Sequence, residues 1–228
     1  MSAFPTTRRS VVLALRSGDA AERQRALDTL IAIYWKPLYK FARMAWGKSP
    51  EDCEDVTQSF FTAMLENDAL GAYEPSRAAF RTFLRLLFER HAANQMKAAQ
   101  RIKRGGGTKA LDFDEAEHEL SRQSLTTPEE FFQQEWIRSV FALAVTRLRA
   151  EVSDRRFALF EAYDLSEDRS VSYRELAARF SLAETSVTNE LSAARQQFRQ
   201  IVLDTLREAT ASEQEFRAEA RALLGIDA

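Results

Sequence analysis

Helix-breaking residues are scarce in this chain, and they are grouped. Only seven glycines and five prolines occur among 228 residues, and three of the glycines, Gly105, Gly106 and Gly107, are consecutive. The stretches between them are rich in Ala, Leu, Arg, Glu and Gln, the residues that cost least in a helix. Pro50 and Pro128 stand where a helix begins, a position that needs no backbone N–H. Pro37 stands at the start of a helical pattern, and Pro75 stands before another. No strand alternation competes with these signals. The pattern predicts an all-α fold.

Hydrophobic residues make up 45% of the chain and charged residues 29%, enough apolar mass for a core and too much for wholesale disorder. The net charge is −2, so any nucleic-acid binding has to use a local patch. A single cysteine, Cys53, excludes a disulfide framework and a cysteine-rich zinc site. His91 and His118 are the only histidines, which argues against a metal site; no metal and no cofactor is expected. No run reaches the length of a membrane span, and the first ten residues contain no apolar signal segment. A cytoplasmic protein is expected.

Along the chain, 8–46 reads as one or two helices ending near Gly47. Ser49-Pro50-Glu51-Asp52 supplies an N-cap, a proline at the first helical position and acids in the first turn, opening a helix that runs to about Asn67. After a turn, a long helix spans about 77–104, on the order of 40 Å. The glycine triplet breaks it, and 105–126 reads as a flexible acidic linker. Thr127-Pro128-Glu129-Glu130 is a capping box that opens a helix containing Phe131, Phe132, Trp136, Val140 and Phe141. Another helix covers 155–163, and Ser172 with Glu175 forms a second capping box inside a Val171–Leu176 staple. The last long helix starts near Ala183 or Glu184, and 213–224 forms a short extra helix. The expected organisation is two small helical domains, 8–104 and 127–208, the linker 105–126 between them, and a helical tail at 209–228.

Two segments carry chemistry. Segment 77–104 holds eight basic residues, Arg77, Arg81, Arg85, Arg90, Lys97, Arg101, Lys103 and Arg104, against Glu89 alone. Such a helix attracts phosphates by Coulomb forces and counterion release; the plain alternative is a solvated basic face. Its apolar stripe reads Phe80, Phe83 or Leu84, Leu87, His91, Asn94 and Ala98, which makes His91 a packed histidine rather than a ligand. Acids of the neighbouring segment could screen the basic face when no nucleic acid is bound. Segment 172–203 has helix-turn-helix spacing. Its second helix buries Val187, Leu191, Ala194, Phe198 and Ile201, and its other face carries Thr185, Asn189, Ser192 and Gln196, neutral groups suited to reading base edges.

Asp52-Cys53-Glu54-Asp55-Val56-Thr57-Gln58-Ser59-Phe60-Phe61 resembles the core-binding motif of RNA polymerase sigma factors of the sigma-70 family, extracytoplasmic-function (ECF) group. Phe80-Arg81-Thr82-Phe83-Leu84 and Lys103-Arg104 with the glycine triplet resemble the family's melting and −10-reading helix. Tyr173-Arg174-Glu175-Leu176-Ala177, Val187-Thr188-Asn189 and Ala194-Arg195 resemble its −35-reading domain. The likeness covers about 20–208, with the motifs in order.

The resemblance implies a transcription initiation factor of the bacterial cytosol and not an enzyme. Region 2 would bind the clamp of core RNA polymerase through Asp52, Glu54, Asp55 and Gln58. It would hold −10 promoter DNA against Arg81, Arg85, Arg90, Asn94, Lys97, Arg101, Lys103 and Arg104. Region 4 would bind the polymerase flap and −35 DNA through Thr185, Ser186, Thr188, Asn189, Ser192, Arg195 and Arg199.

The chain departs from the family pattern in three places. Ser59 stands where the family usually has an acid, in a face made by Asp52, Asp55, Ser59, Thr62 and Glu66. Either the serine is tolerated because Asp52, Asp55 and Glu54 suffice, or phosphorylation restores the charge. Ser59 is the main candidate for the second case and Thr57 and Thr62 the weaker ones, with a Ser/Thr kinase or an anti-sigma factor as further partner. Thr188 and Glu190 replace basic residues common in the related group, and Ala183 stands where a capping hydroxyl is usual. Arg90 and Asn94 replace residues used in −10 reading, so that sequence preference does not carry over. The charge-poor second helix motivates an alternative: a sigma-like regulator that occupies polymerase or a regulatory partner without initiating. A third reading, an enzyme using Asp52 and Asp55, lacks any nucleophile, metal-ligand or phosphate-loop motif.

Overall fold

The computed structural model describes residues 14–15, 19–66, 69–74, 76–103, 127–167 and 171–225. Among these the fold is all-α, with no strand: α1 (Ala20–Trp46), α2 (Pro50–Glu66), α3 (Phe80–Lys103), α4 (Pro128–Glu151), α5 (Asp154–Phe160), α6 (Tyr173–Phe180), α7 (Glu184–Ala209) and α8 (Glu213–Leu224). The expected linker, 105–126, lies outside the described residues. The chain divides into two compact units, one made of 1–139 with 207–228 and the other of 140–206. The divisions fall inside α4 and α7, so the start of α4 and all of α8 count with the first unit.

In the first unit, α1 begins where the Asp19 carboxylate accepts from the N–H groups of Ala21 and Glu22, at 2.8 and 3.3 Å. It ends at Gly47, whose left-handed backbone (φ +57°) lets its N–H reach the Arg43 carbonyl, a conformation only glycine adopts cheaply. Pro37 does not start a helix. It lies inside α1, buried in the stripe Leu30, Ile33, Tyr34, Leu38 and Phe41. Core packing along that stripe outweighs the one backbone hydrogen bond that proline removes.

Helix α2 starts as expected, with Ser49 Oγ accepting from Asp52 N–H at 3.1 Å. It buries Cys53, Val56, Phe60, Phe61 and Met64, which turns Glu51, Asp52, Glu54 and Asp55 outward; the Glu66 side chain lies outside the described residues. On α3 the buried row is Phe80, Leu84, Phe88 and Ala92. This differs from the expected stripe: Asn94 is exposed and Leu87 only half-buried. The observed spacing is a pure i+4 ridge, which turns about 40° per step and carries Phe88 and Ala92 inward. Rings lock the packing, with Phe60 and Trp46 both on Phe88 at 5.3 and 5.4 Å, and Tyr34 edge-on to Phe80 at 5.9 Å.

The start of α4 carries the expected capping box, Glu130 N–H to Thr127 Oγ1 at 3.2 Å and Thr127 N–H to Glu130 Oε2 at 2.9 Å. Phe132 and Trp136 enter the core, with Phe132 against Phe41 at 6.1 Å. Glu135 is only 1% exposed and ion-pairs with Lys40 at 2.7 Å and with Arg138. Helix α8 closes this unit with Phe216 and Ala220 buried, Arg207 lying 4.0 Å over the Phe216 ring, and Tyr34 donating to the Ala209 carbonyl at 3.0 Å.

The second unit is built on Leu159, Leu176, Ala177, Val187 and Leu191. Helix α5 is capped by Ser153 and runs on into one wide turn, Glu161–Leu165. Helix α6 has its predicted capping box, Glu175 N–H to Ser172 Oγ at 3.2 Å and Ser172 N–H to Glu175 Oε2 at 2.7 Å. It stops at Ser181, whose backbone is left-handed (φ +53°, ψ +49°). There Ser181 N–H bonds to Ala178 O and Leu182 N–H to Ala177 O, the Schellman closure. Helix α7 then buries Val187, Leu191, Ala194 and Ile201 as the spacing predicts, while Phe198 is half-buried and packs on Phe160 at 5.2 Å.

Candidate functional site

The acidic face of α2 is open. Asp52, Glu54, Asp55, Gln58 and Thr62 are exposed, and Ser59 is half-buried. Thr57 is fully buried, its hydroxyl donating to the Cys53 carbonyl at 2.6 Å, which places it in the core. Thr62 donates to the Gln58 carbonyl at 3.1 Å. Ser59 sits in a small polar cluster that ties α2 to α3. Its Oγ is 3.0 Å from His91 Nε2 and 3.0 Å from the Val56 carbonyl, and it accepts from Gln95 Nε2 at 2.7 Å. Gln95 also reaches His91 Nε2 at 3.1 Å, and the Phe60 ring lies against the imidazole at 5.7 Å. Burial holds the His91 pKa below its ordinary value. Gln95 was not foreseen; its place one turn after His91 was the available signal.

The cations of α3 fall into two groups. Arg81 and Arg85, near its start, are drawn into the fold. Arg81 is 17% exposed, ion-paired to Glu219 and stacked 5.0 Å over Trp136. Arg85 is ion-paired to Glu89 and 3.3 Å from Glu129, and it lies over the Phe41 ring. Further along, Arg90, Asn94 and Lys97 are exposed. Arg101 and Lys103 fall in the last turns of α3, and Arg104 lies outside the described residues.

In the helix-turn-helix, Thr185, Thr188, Asn189, Ser192 and Arg199 are exposed on α7, while Ser186 and Arg195 are half-buried. Glu190 points away from that row and pairs with Arg156 at 2.6 Å, so its charge is compensated locally. Arg195 is also engaged. Its Nε faces both Asp164 oxygens at 3.0 and 3.1 Å, its Nη1 reaches Tyr173 Oη at 3.1 Å, and its guanidinium covers the Tyr163 ring. It clamps the wide turn after α5 to α7. The pairing of Arg195 with Asp164 and Tyr173 was not foreseen, because Tyr173 stood out only as part of a motif and nothing local marks Asp164.

No family model and no curated protein matches the chain. Among the described residues, no helix is long and apolar enough to cross a membrane.

Proposed function

We propose that the chain is an ECF-type sigma factor that binds core RNA polymerase and directs promoter-specific initiation. In this reading 8–104 is region 2, binding the clamp and the −10 element, and 127–208 is region 4, binding the flap and the −35 element. The observation that carries the reading is the helix-turn-helix α6–α7, whose second helix exposes Thr185, Thr188, Asn189 and Ser192 along one side. Neutral donors and acceptors on an exposed recognition helix suit base edges in a major groove. The open carboxylates of α2 support a separate protein-docking surface, and exposed Arg90, Asn94 and Lys97 support a nucleic-acid surface on α3. The chemistry would belong to the polymerase.

Run-off transcription with purified core polymerase on genomic fragments tests the proposal. Transcripts of fixed length that require the chain are expected. Their absence, whether or not Ser59 is phosphorylated, overturns it. Phosphorylation of Ser59 would add roughly −1.5 to −2 charge to the α2 face, between Asp55 and Thr62. A polymerase pull-down with wild type, Ser59→Ala and Ser59→Asp, with and without kinase, tests this switch; equal core binding by all three refutes it.

A second reading, a sigma-like regulator that occupies polymerase or a partner without initiating, is favoured by one observation. Arg81 and Arg85, which would face DNA, are satisfied by acids of the same chain. Core binding without any transcript decides for it.

A further inference from the structure

We infer that helix α8 is a built-in occupant of the anion-binding end of α3, standing where nucleic-acid phosphate would otherwise lie. The inference rests on the nucleic-acid reading of α3 and states how that surface is regulated.

Two carboxylates of α8 make the contacts. Glu215 Oε1 accepts from the N–H of Phe80, the first residue of α3, at 2.7 Å. Its other oxygen accepts from Ala211 N–H at 3.0 Å and lies 3.4 Å from Tyr73 Oη. The start of a helix carries unsatisfied N–H groups and partial positive charge, so an anion is held there. One turn further in from Glu215, Glu219 ion-pairs with Arg81, and the two side chains are only 10% and 17% exposed. One anion on the helix start and another on the first arginine is the pattern a phosphodiester strand would make.

The contacts are held in place. Phe216 directly follows Glu215 and Ala220 directly follows Glu219, and both are buried; Ser212 caps α8 by accepting from Glu215 N–H at 3.1 Å. The acids that neutralise α3 thus include Glu219 and Glu129, from two different helices, besides its own Glu89. Arg90 and Lys97 on the same helix remain exposed. A polyanion can therefore land on the open end of α3 and compete with α8 for the closed end.

The test uses the full chain and a fluorescent single-stranded oligodeoxynucleotide of about 20 nucleotides, read by anisotropy at about 50–200 mM salt. The paired variant Glu215→Gln/Glu219→Gln keeps volume and removes both charges. It is expected to bind about tenfold tighter than wild type and to show a steeper dependence on salt, by about one to two phosphate equivalents. Hydrogen exchange on wild type needs no variant: saturating oligonucleotide is expected to speed exchange of the 213–224 amides at least several-fold. Unchanged affinity in the variant, or unchanged exchange in wild type, while Arg90→Ala/Lys97→Ala weakens binding, overturns the occupant role and leaves the nucleic-acid reading standing. No binding by any form removes the nucleic-acid reading itself, and the occupant role with it.

Discussion

Replacing Ser181 with glycine is expected to make the protein more stable. Ser181 is the one described non-glycine residue with positive φ, at φ +53° and ψ +49°. For an L-residue that conformation costs about 1–2 kcal/mol, because Cβ crowds the following carbonyl. Nothing offsets the cost through the side chain, since Ser181 is exposed and the two bonds that close α6 come from backbone, Ser181 N–H to Ala178 O and Leu182 N–H to Ala177 O. Ser181→Gly removes the steric cost and keeps both bonds. Glycine is also freer in the unfolded chain, which takes back about 0.5–1 kcal/mol. The net gain is about 0.5–1 kcal/mol, or a rise in Tm of about 2 °C for a chain of this size. Ser181→Val moves the other way, because a β-branched side chain fits the left-handed region worst. Guanidinium unfolding followed by far-UV circular dichroism gives both values, and hydrogen exchange on the α6 amides assigns them to the helix-turn-helix. If Ser181→Gly is no more stable than wild type and Ser181→Val no less, the turn is not held by backbone geometry and the argument fails.

Four further outcomes follow from named contacts. His91 titrates below its ordinary pKa of 6.5, so the unfolded chain takes up a proton first; stability should fall as pH drops from about 6.5 through the lower folded value and level off beneath it. Ser59→Asp places an anion 32 residues before His91 in sequence but beside it in space, and should reverse that slope in urea midpoints measured against pH. Glu135→Ala leaves Lys40 and Arg138 without their shared carboxylate; since they are 35% and 66% exposed, the loss should sit below the fully buried range, at about 2 kcal/mol by chemical denaturation. Arg195→Lys should be about as harmful as Arg195→Ala, near 1 kcal/mol, because an ammonium cannot face both Asp164 oxygens and Tyr173 together; a double-mutant cycle with Asp164→Ala should show the coupling.

The helices and their starts were legible in the residues. Ser49, Thr127 and Ser172 each cap the helix they were expected to cap, and α8 runs over the expected span of 213–224. Pro37 misled because the rule for proline describes an isolated helix, whereas α1 is held by a buried stripe on either side of it. The inner row of α3 was misplaced for a related reason. Phe83, Leu84, Leu87 and Phe88 are all apolar, and only the helices packed against them select Leu84 and Phe88.

The candidate surfaces divide along the same line. Exposure of Asp52, Asp55, Asn189 and Ser192 follows from helical periodicity, because each lies opposite its helix's buried row. The state of the cations does not. Eight basic residues in one segment read as one surface, yet Arg81 is paired with a glutamate 138 residues away, and Lys40 reaches Glu135 across 95 residues.

By itself, then, the order of residues determined an all-α fold among the described residues, its helix caps and the short turn between α6 and α7, because those depend on interactions within about one helical turn. Tertiary structure alone decided which cations are spent internally, that Ser59 meets His91 and Gln95, and that α8 lies on the start of α3. A charge attracts any opposite charge, and only packing of distant apolar faces such as Phe216 chooses the partner.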